Sequence, residues 1–154
     1  MANLYPVGYE NDVISEEDIA SEKPAGYRNG IAFDYETGDF KRDGMNKILD
    51  SDGIQSWKDW CINCLQTERY KHLAYSTDFG IELDAAMNAS SREEAEAILT
   101  RQITEALMAD PYGRTAYVSD ITYTWTAPDT VAVDVAIHGT TDVTIDITAY
   151  LTRK

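Results

Sequence analysis

YVSDITYTWTAPDTVAVDVAIHGTTDVTIDITAYL, residues 117–151, decides the fold. Three runs inside it alternate with period two. In the first, Tyr117, Ser119, Ile121, Tyr123 and Trp125 alternate with Val118, Asp120, Thr122, Thr124 and Thr126. Pro128-Asp129 turns the chain, and Val131, Val133, Val135 and Ile137 form a second apolar row. Gly139 lies in the next turn, and Val143, Ile145, Ile147, Ala149 and Leu151 form the third. Successive side chains of a strand point to opposite faces, so this pattern predicts a three-stranded antiparallel meander with one buried and one wet face. The wet face is rich in Thr and Asp. A one-sided sheet must bury its apolar face against another layer, which predicts an α+β sandwich of two layers.

The covering layer is legible upstream. Asp52, with Gln55 three residues on, reads as a helix cap. From about Gly53 to Thr67, Ile54, Trp57, Cys61, Cys64 and Leu65 fall on one stripe with Trp60 beside them, while Lys58, Asp59 and Asn63 face away. Two tryptophans this close mark a deep core helix. An aromatic loop, Tyr70 to Phe79, follows. Ile81, Leu83 and Met87 then suggest a short helix. The second main helix starts where Ser90 and Ser91 precede Glu93 and Glu94, a capping box in either register. Ala95, Leu99, Ile103 and Ala106 trace its inner face, broadened by Ile98 and Leu107, and Pro111 ends it.

The N-terminal part is less periodic. Residues 1–30 are polar, acidic and broken by Pro6, Gly8, Pro24 and Gly26. They read as an extended or partly ordered arm, with a short helical turn at Ser15 to Ala20. Such an arm is either a disordered tail or a segment that orders against a neighbour. Ile31, Phe33 and Tyr35, a Thr37-Gly38-Asp39 turn and Phe40 then make a short hairpin, and Lys47 to Asp50 offers a further strand. Residues 31–154 are thus expected to form one domain behind the arm. Asp50-Ser51-Asp52-Gly53 lacks the third acidic ligand and distal glutamate of a calcium loop.

Composition excludes more than it proposes. The 154 residues suit one domain with a real core, and 44% hydrophobic content is ordinary for a folded chain. Lys and Arg number 13 against 27 Asp and Glu, a net charge of -14. That balance opposes sequence-independent nucleic-acid binding and anionic membrane surfaces, and suits solubility or docking on a basic partner. No apolar run is long enough to span a bilayer, and the first ten residues carry no secretory pattern. Cys61 and Cys64 are expected to be reduced and packed. A zinc site needs two more ligands, which His72 and His138 do not supply by spacing, and the pair sits too late in its helix for a thioredoxin-like site. No cofactor is expected.

With this order laid out, the chain resembles the XkdS-like branch of the baseplate wedge proteins of contractile phage tails and related injection machines. The resemblance covers about Ile31 to Leu151. It rests on Ile31-Ala32-Phe33-Asp34 in the hairpin, Thr67-Glu68-Arg69 ending a helix, Asp78-Phe79-Gly80, a helix start at Ser91-Arg92-Glu93-Glu94-Ala95, and a Glu-Ala-Leu-x-x-Asp-Pro stretch from Glu105 to Pro111. The family often carries a compact acidic-Pro-Arg motif after its long helix. Here Asp110-Pro111-Tyr112-Gly113-Arg114 sets two residues between proline and arginine. The family includes the sheath-initiating wedge protein of myophages, and some members have been labelled lysozyme-like.

The resemblance implies structural work without catalysis: a subunit similar to the inner domain of the tail-sheath protein. Its implied partners are other baseplate wedge proteins, hub or tube proteins and the first ring of sheath subunits, with six copies per baseplate. Its implied place is the baseplate of a virion or tail particle, assembled in the host bacterial cytoplasm. Sheath templating by strand exchange has a physical route here, because a meander has two edges and an unpaired edge accepts a strand. Candidate partner contacts are Glu68, Arg69, Asp110 and Arg114, which could equally fix helix-loop junctions, together with Thr144, Asp146 and Thr148 on the last strand. That edge is either open or covered by the protein's own N-terminal arm or hairpin. The rival reading is a peptidoglycan hydrolase, which needs two carboxylates flanking the scissile bond. Glu68 with Glu82 or Asp84 is the pair to examine.

Overall fold

The computed structural model describes residues 26–153. The expected arm, apart from its last few residues, and the turn at Ser15 to Ala20 lie outside them. The chain opens with two nested antiparallel pairs of very short strands. β2 (Phe33–Asp34) pairs with β3 (Asp39–Phe40), placing Phe33 opposite Phe40. β1 (Gly30–Ile31) pairs with β4 (Asp50–Ser51) outside it. The strand expected over Lys47 to Asp50 shrinks to β4 and a bridge between Arg42 and Ile48. Asp43 takes its place as a turn-former, its carboxylate accepting from the N–H groups of Met45 and Lys47, both at 2.9 Å.

α1 spans Gly53–Gln66, and Asp52 caps it by accepting from Gln55 N–H at 2.8 Å. Trp57, Cys61, Cys64 and Leu65 are buried as the stripe predicts. Two positions on this helix depart from expectation. Ile54 is 42% exposed, and Asp59, expected to face water, is 7% exposed. The N-terminal hairpin covers the Asp59 side of the helix. Tyr35 Oη donates to Asp59 O at 3.2 Å, and Gln55 Nε2 donates to Asp59 Oδ1 at 2.8 Å. A helix packed on two sides buries a wider and rotated stripe.

α2 (Leu83–Met87) is one short turn of helix, and α3 runs Arg92–Met108. Ser91 Oγ accepts from Glu94 N–H at 3.2 Å while the Glu94 carboxylate accepts from Ser90 N–H at 2.8 Å, so the box settles in the later register. Ala95, Leu99, Ile103, Ala106 and Leu107 are buried. So is Gln102, whose Oε1 accepts from Glu82 N–H at 2.8 Å and ties α3 to the entry of α2.

The meander is β5 (Thr115–Ala127), β6 (Thr130–Gly139) and β7 (Thr144–Thr152), in sheet order β5-β6-β7. Its inner face joins Trp57, Leu99, Ile103 and Leu107 in one core. Each large side chain so buried contributes about 1.5–3 kcal/mol, which makes this helix-on-sheet layer the chief source of stability.

The first strand corrects the simple alternation. Tyr117 is 56% exposed, and Val118 packs against the core instead. The register slips between Thr115 and Tyr117, and again between Ser119 and Thr122, where Asp120 adopts a left-handed φ of 49°. Each extra residue moves the following side chains to the other face. After the second slip Ile121, Tyr123 and Trp125 point inward as expected.

Candidate partner-binding edge

The two edges of the sheet differ. β5 is broken by three register shifts, the last between Trp125 and Ala127. Bulges twist a strand and interrupt its ladder, which blunts an edge against further pairing. Trp125 adds cover, its Nε1 donating to Glu96 Oε1 on α3 at 2.9 Å. β7 pairs with β6 without interruption from Thr152 opposite Thr130 to Thr144 opposite His138.

The backbone of β7 has a definite polarity. At one end Gly139 N–H donates to Val143 O at 2.7 Å, and at the other Arg153 N–H donates to Asp129 O at 3.1 Å. Bonded and non-bonded pairs alternate along an antiparallel ladder. Ile145, Ile147, Ala149 and Leu151 therefore exchange bonds with β6. The N–H and C=O groups of Thr144, Asp146, Thr148, Tyr150 and Thr152 point away from the sheet. Among the described residues no strand pairs with them. The hairpins pair only among themselves, so among the described residues no strand is hydrogen-bonded to this edge.

The side chains of the same five residues lie on the wet face, and three are already engaged, Thr152 Oγ1 by accepting from Thr130 Oγ1 at 3.4 Å. Thr148 Oγ1 donates to the Asp134 carboxylate, and Thr144 Oγ1 bonds His138 Nδ1 at 3.0 Å. His138 Nε2 bonds Ser119 Oγ at 2.8 Å, and the imidazole stacks on Tyr117 with centroids 4.2 Å apart. These bonds cross all three strands and stiffen the edge. Asp146 lies opposite Ala136, and no hydrogen bond or ion pair reaches it among the described residues. Tyr150 and Thr152 belong to the same outward row. The period-two alternation would have identified them along with Thr144, Asp146 and Thr148.

The other four candidates occupy two places away from the wet face. Asp110 and Arg114 form a bidentate pair inside the chain, Arg114 Nε to Oδ2 at 2.8 Å and Nη2 to Oδ1 at 2.9 Å. The side chains of Arg114 and Asp110 are 5% and 0% exposed. Arg114 N–H and Tyr112 N–H also donate to the Asp110 carboxylate, at 2.8 and 3.3 Å. The longer spacing after Pro111 still delivers the arginine onto the aspartate, because Gly113 takes a φ of 59° and turns the chain back. Arg114 O then accepts from Thr140 N–H at 3.0 Å and Tyr27 Oη at 3.3 Å, linking α3's end to the β6–β7 turn.

Glu68 and Arg69 close the aromatic loop. Glu68 bridges Ile81 in parallel, with Arg69 N–H to Ile81 O and Ile81 N–H to Thr67 O both at 3.0 Å. Arg69 Nε donates to Gly80 O at 3.0 Å, and Glu68 ion-pairs with Lys71. Phe79 packs edge-on to Trp60, and Tyr75 packs on Phe79, whereas Leu73 projects wholly into solvent. Beside this closure, at the C-terminal end of β7, lies an open cleft of about 600 Å³. Leu65, Ile81, Leu83 and Leu151 line it together with polar residues that include Thr67, Glu68, Lys71, His72 and Thr152.

Neither chemical alternative gains support from this geometry. Glu68 is held by Lys71, and Asp84 is held by Arg153 at 2.9 Å. Cys61 and Cys64 are free thiols with no exposed surface. Burial pushes Cys64 up to about 11, offset in part by the Gly80 N–H that reaches its Sγ at 3.5 Å. Burial pushes Cys61 higher still, with Asp110 adding to the shift. Among the described residues no cluster of three or more His, Cys, Asp or Glu is placed to hold a metal ion, and no helix is long and apolar enough to cross a membrane.

No curated protein matches the chain. The family description "contractile injection system sheath initiator" matches residues 29–142, which takes in both hairpins, all three described helices, β5 and β6, and ends just before β7. With most of its length matched, the chain belongs to the sheath initiators of contractile injection systems, a structural family of the tail and baseplate.

Proposed function

We propose that this sheath initiator presents the outer edge of β7 to an extended segment of a sheath subunit, and so templates the first sheath ring by strand addition. The observation that carries the reading is the asymmetry of the sheet. One edge is bulged and tied to α3, and the other is straight, with five consecutive outward-facing backbone positions left unpaired by the described residues. Strand addition draws affinity from main-chain bonds and specificity from alternate side chains. The partner set expected of such a subunit is other baseplate wedge proteins, hub or tube proteins and the sheath. Six copies would ring the tail in a baseplate assembled in the bacterial cytoplasm. The hairpin aromatics and the loop at Leu73 are available for wedge or hub contacts. Asp110, Arg114, Glu68 and Arg69 serve these contacts by fixing the junctions from which those surfaces project. No catalysis enters this role.

The test is complex formation with the sheath subunit and the neighbouring baseplate proteins, followed by size-exclusion chromatography. Thr148→Pro removes one outward N–H, a position where an edge strand tolerates proline. It should abolish the sheath complex while leaving a folded chain. A full-strength complex with that variant would refute strand addition at β7.

A further inference from the structure

Resting on that reading of β7, we infer that the cleft between the loop closure and the end of β7 is a side-chain subsite. It would receive an apolar residue of the added strand, which also carries a cationic residue opposite Asp146. The argument is one of register. A strand added to β7 places its side chains directly across from those of β7, face for face. Opposite Asp146 it presents a side chain on the wet face. Opposite Leu151 it presents one on the inner face, where the cleft of about 600 Å³ opens onto Leu65, Ile81 and Leu83. The two positions are five residues apart, an odd number, so alternation sends them to opposite faces without any bulge.

Charge and area argue for these two chemistries. Asp146 has no counter-ion within the chain among the described residues, since Ala136 faces it across the ladder. From Thr115 to Thr152 the sheet carries five aspartates and no lysine or arginine. A cation across from Asp146 therefore meets an unopposed carboxylate in an acidic field. Four aliphatic residues, Leu65, Ile81, Leu83 and Leu151, share the lining of the cleft with polar ones, of which Glu68 and Lys71 are already paired with each other. An apolar side chain seated there leaves that ion pair in water. A charged one would be desolvated against the aliphatic part of the lining, with Glu68 and Lys71 already committed to each other.

The test uses the isotope-labelled full-length chain and synthetic peptides of about ten residues, with Thr and Val alternating, followed by nuclear magnetic resonance. The reference peptide carries Lys and Leu five positions apart. Its binding should shift and protect the amides of Asp146, Thr148 and Tyr150. Replacing its Leu by Asp should weaken binding by about tenfold or more, the scale of burying one aliphatic side chain. Replacing its Lys by Glu should weaken it about two- to fivefold. Glu68→Trp, which narrows the cleft, should erase the Leu preference and keep the Lys preference. If every peptide binds alike and Thr148→Pro abolishes them all, strand addition stands and the subsite is overturned. If no peptide binds, or if those amides are already protected in the free chain by its own residues 1–25 or by a second copy, the open edge itself is overturned and the subsite with it.

Discussion

Arg114→Met is the sharpest probe of how this fold is held. The substitution keeps an unbranched side chain of similar reach and removes the guanidinium. In the wild type the fully buried Asp110 carboxylate accepts from four donors, two of them on that guanidinium. The variant leaves a buried negative charge with two backbone donors. Removing one partner of a buried pair costs about 3–5 kcal/mol. The two remaining N–H groups place this case near the lower end, at about 3 kcal/mol. For a domain of this size each kcal/mol moves the midpoint roughly 2–4 °C, so Tm should fall by roughly 6–12 °C. The assay is thermal and urea unfolding followed by fluorescence of Trp57 and Trp60, the latter with the Arg114 guanidinium 6.0 Å from its ring centre. Asp110→Asn in the Arg114→Met background keeps an acceptor for one of the two N–H groups and removes the stranded charge. It should recover about half of the loss or more. If Arg114→Met costs under about 1 kcal/mol, or if the second substitution adds to the damage, the pair does not bear the load assigned to it.

Four further outcomes are expected. Both thiols titrate above the ordinary thiol value of 9.0 in the folded chain, so the stabilisation from keeping them neutral is intact below about pH 9 and is lost as pH rises toward 11. Urea titrations should show stability falling by about 1.4 kcal/mol per pH unit for each ionising thiol, with a shallower fall in a Cys61→Ala, Cys64→Ala variant. A thiol reagent at neutral pH should find neither cysteine until denaturant is added. Gly80→Ala should destabilise by about 1–3 kcal/mol in chemical unfolding, because φ is 91° there and a Cβ would sit 2.6 Å from Thr67 O. Leu99→Ala, at a fully buried position on α3, should cost about 2–5 kcal/mol in the same measurement.

Local pattern carried much of this architecture. The alternation of Val131 to Ile137 and of Ile145 to Leu151 sufficed for two strands, because a pleat has only two faces and these residues tolerate no slip. Asp52 and the Ser90-Ser91 pair marked the helix starts, because a cap needs only a short side chain and an N–H three residues on; the structure picked Ser91 of the pair. Tyr117 misled, because a bulge at Asp120 is stabilised by pairing with β6 and leaves no trace in the local pattern. Asp59 misled because its cover comes from Tyr35, 24 residues earlier.

The candidate edge divides in the same way. Sequence by itself determined that Thr144, Asp146 and Thr148 share the wet face of a strand, since alternation is a property of the chain alone. The motif order from the hairpin to Asp110-Pro111 also sufficed to suggest the family. Which of the two sheet edges is straight, which way each backbone N–H points, and that Asp110 and Arg114 satisfy each other in the interior were decided by the tertiary structure. Those outcomes depend on partners far away in the chain, and hydrogen-bond direction and burial exist only once the strands and helices have met.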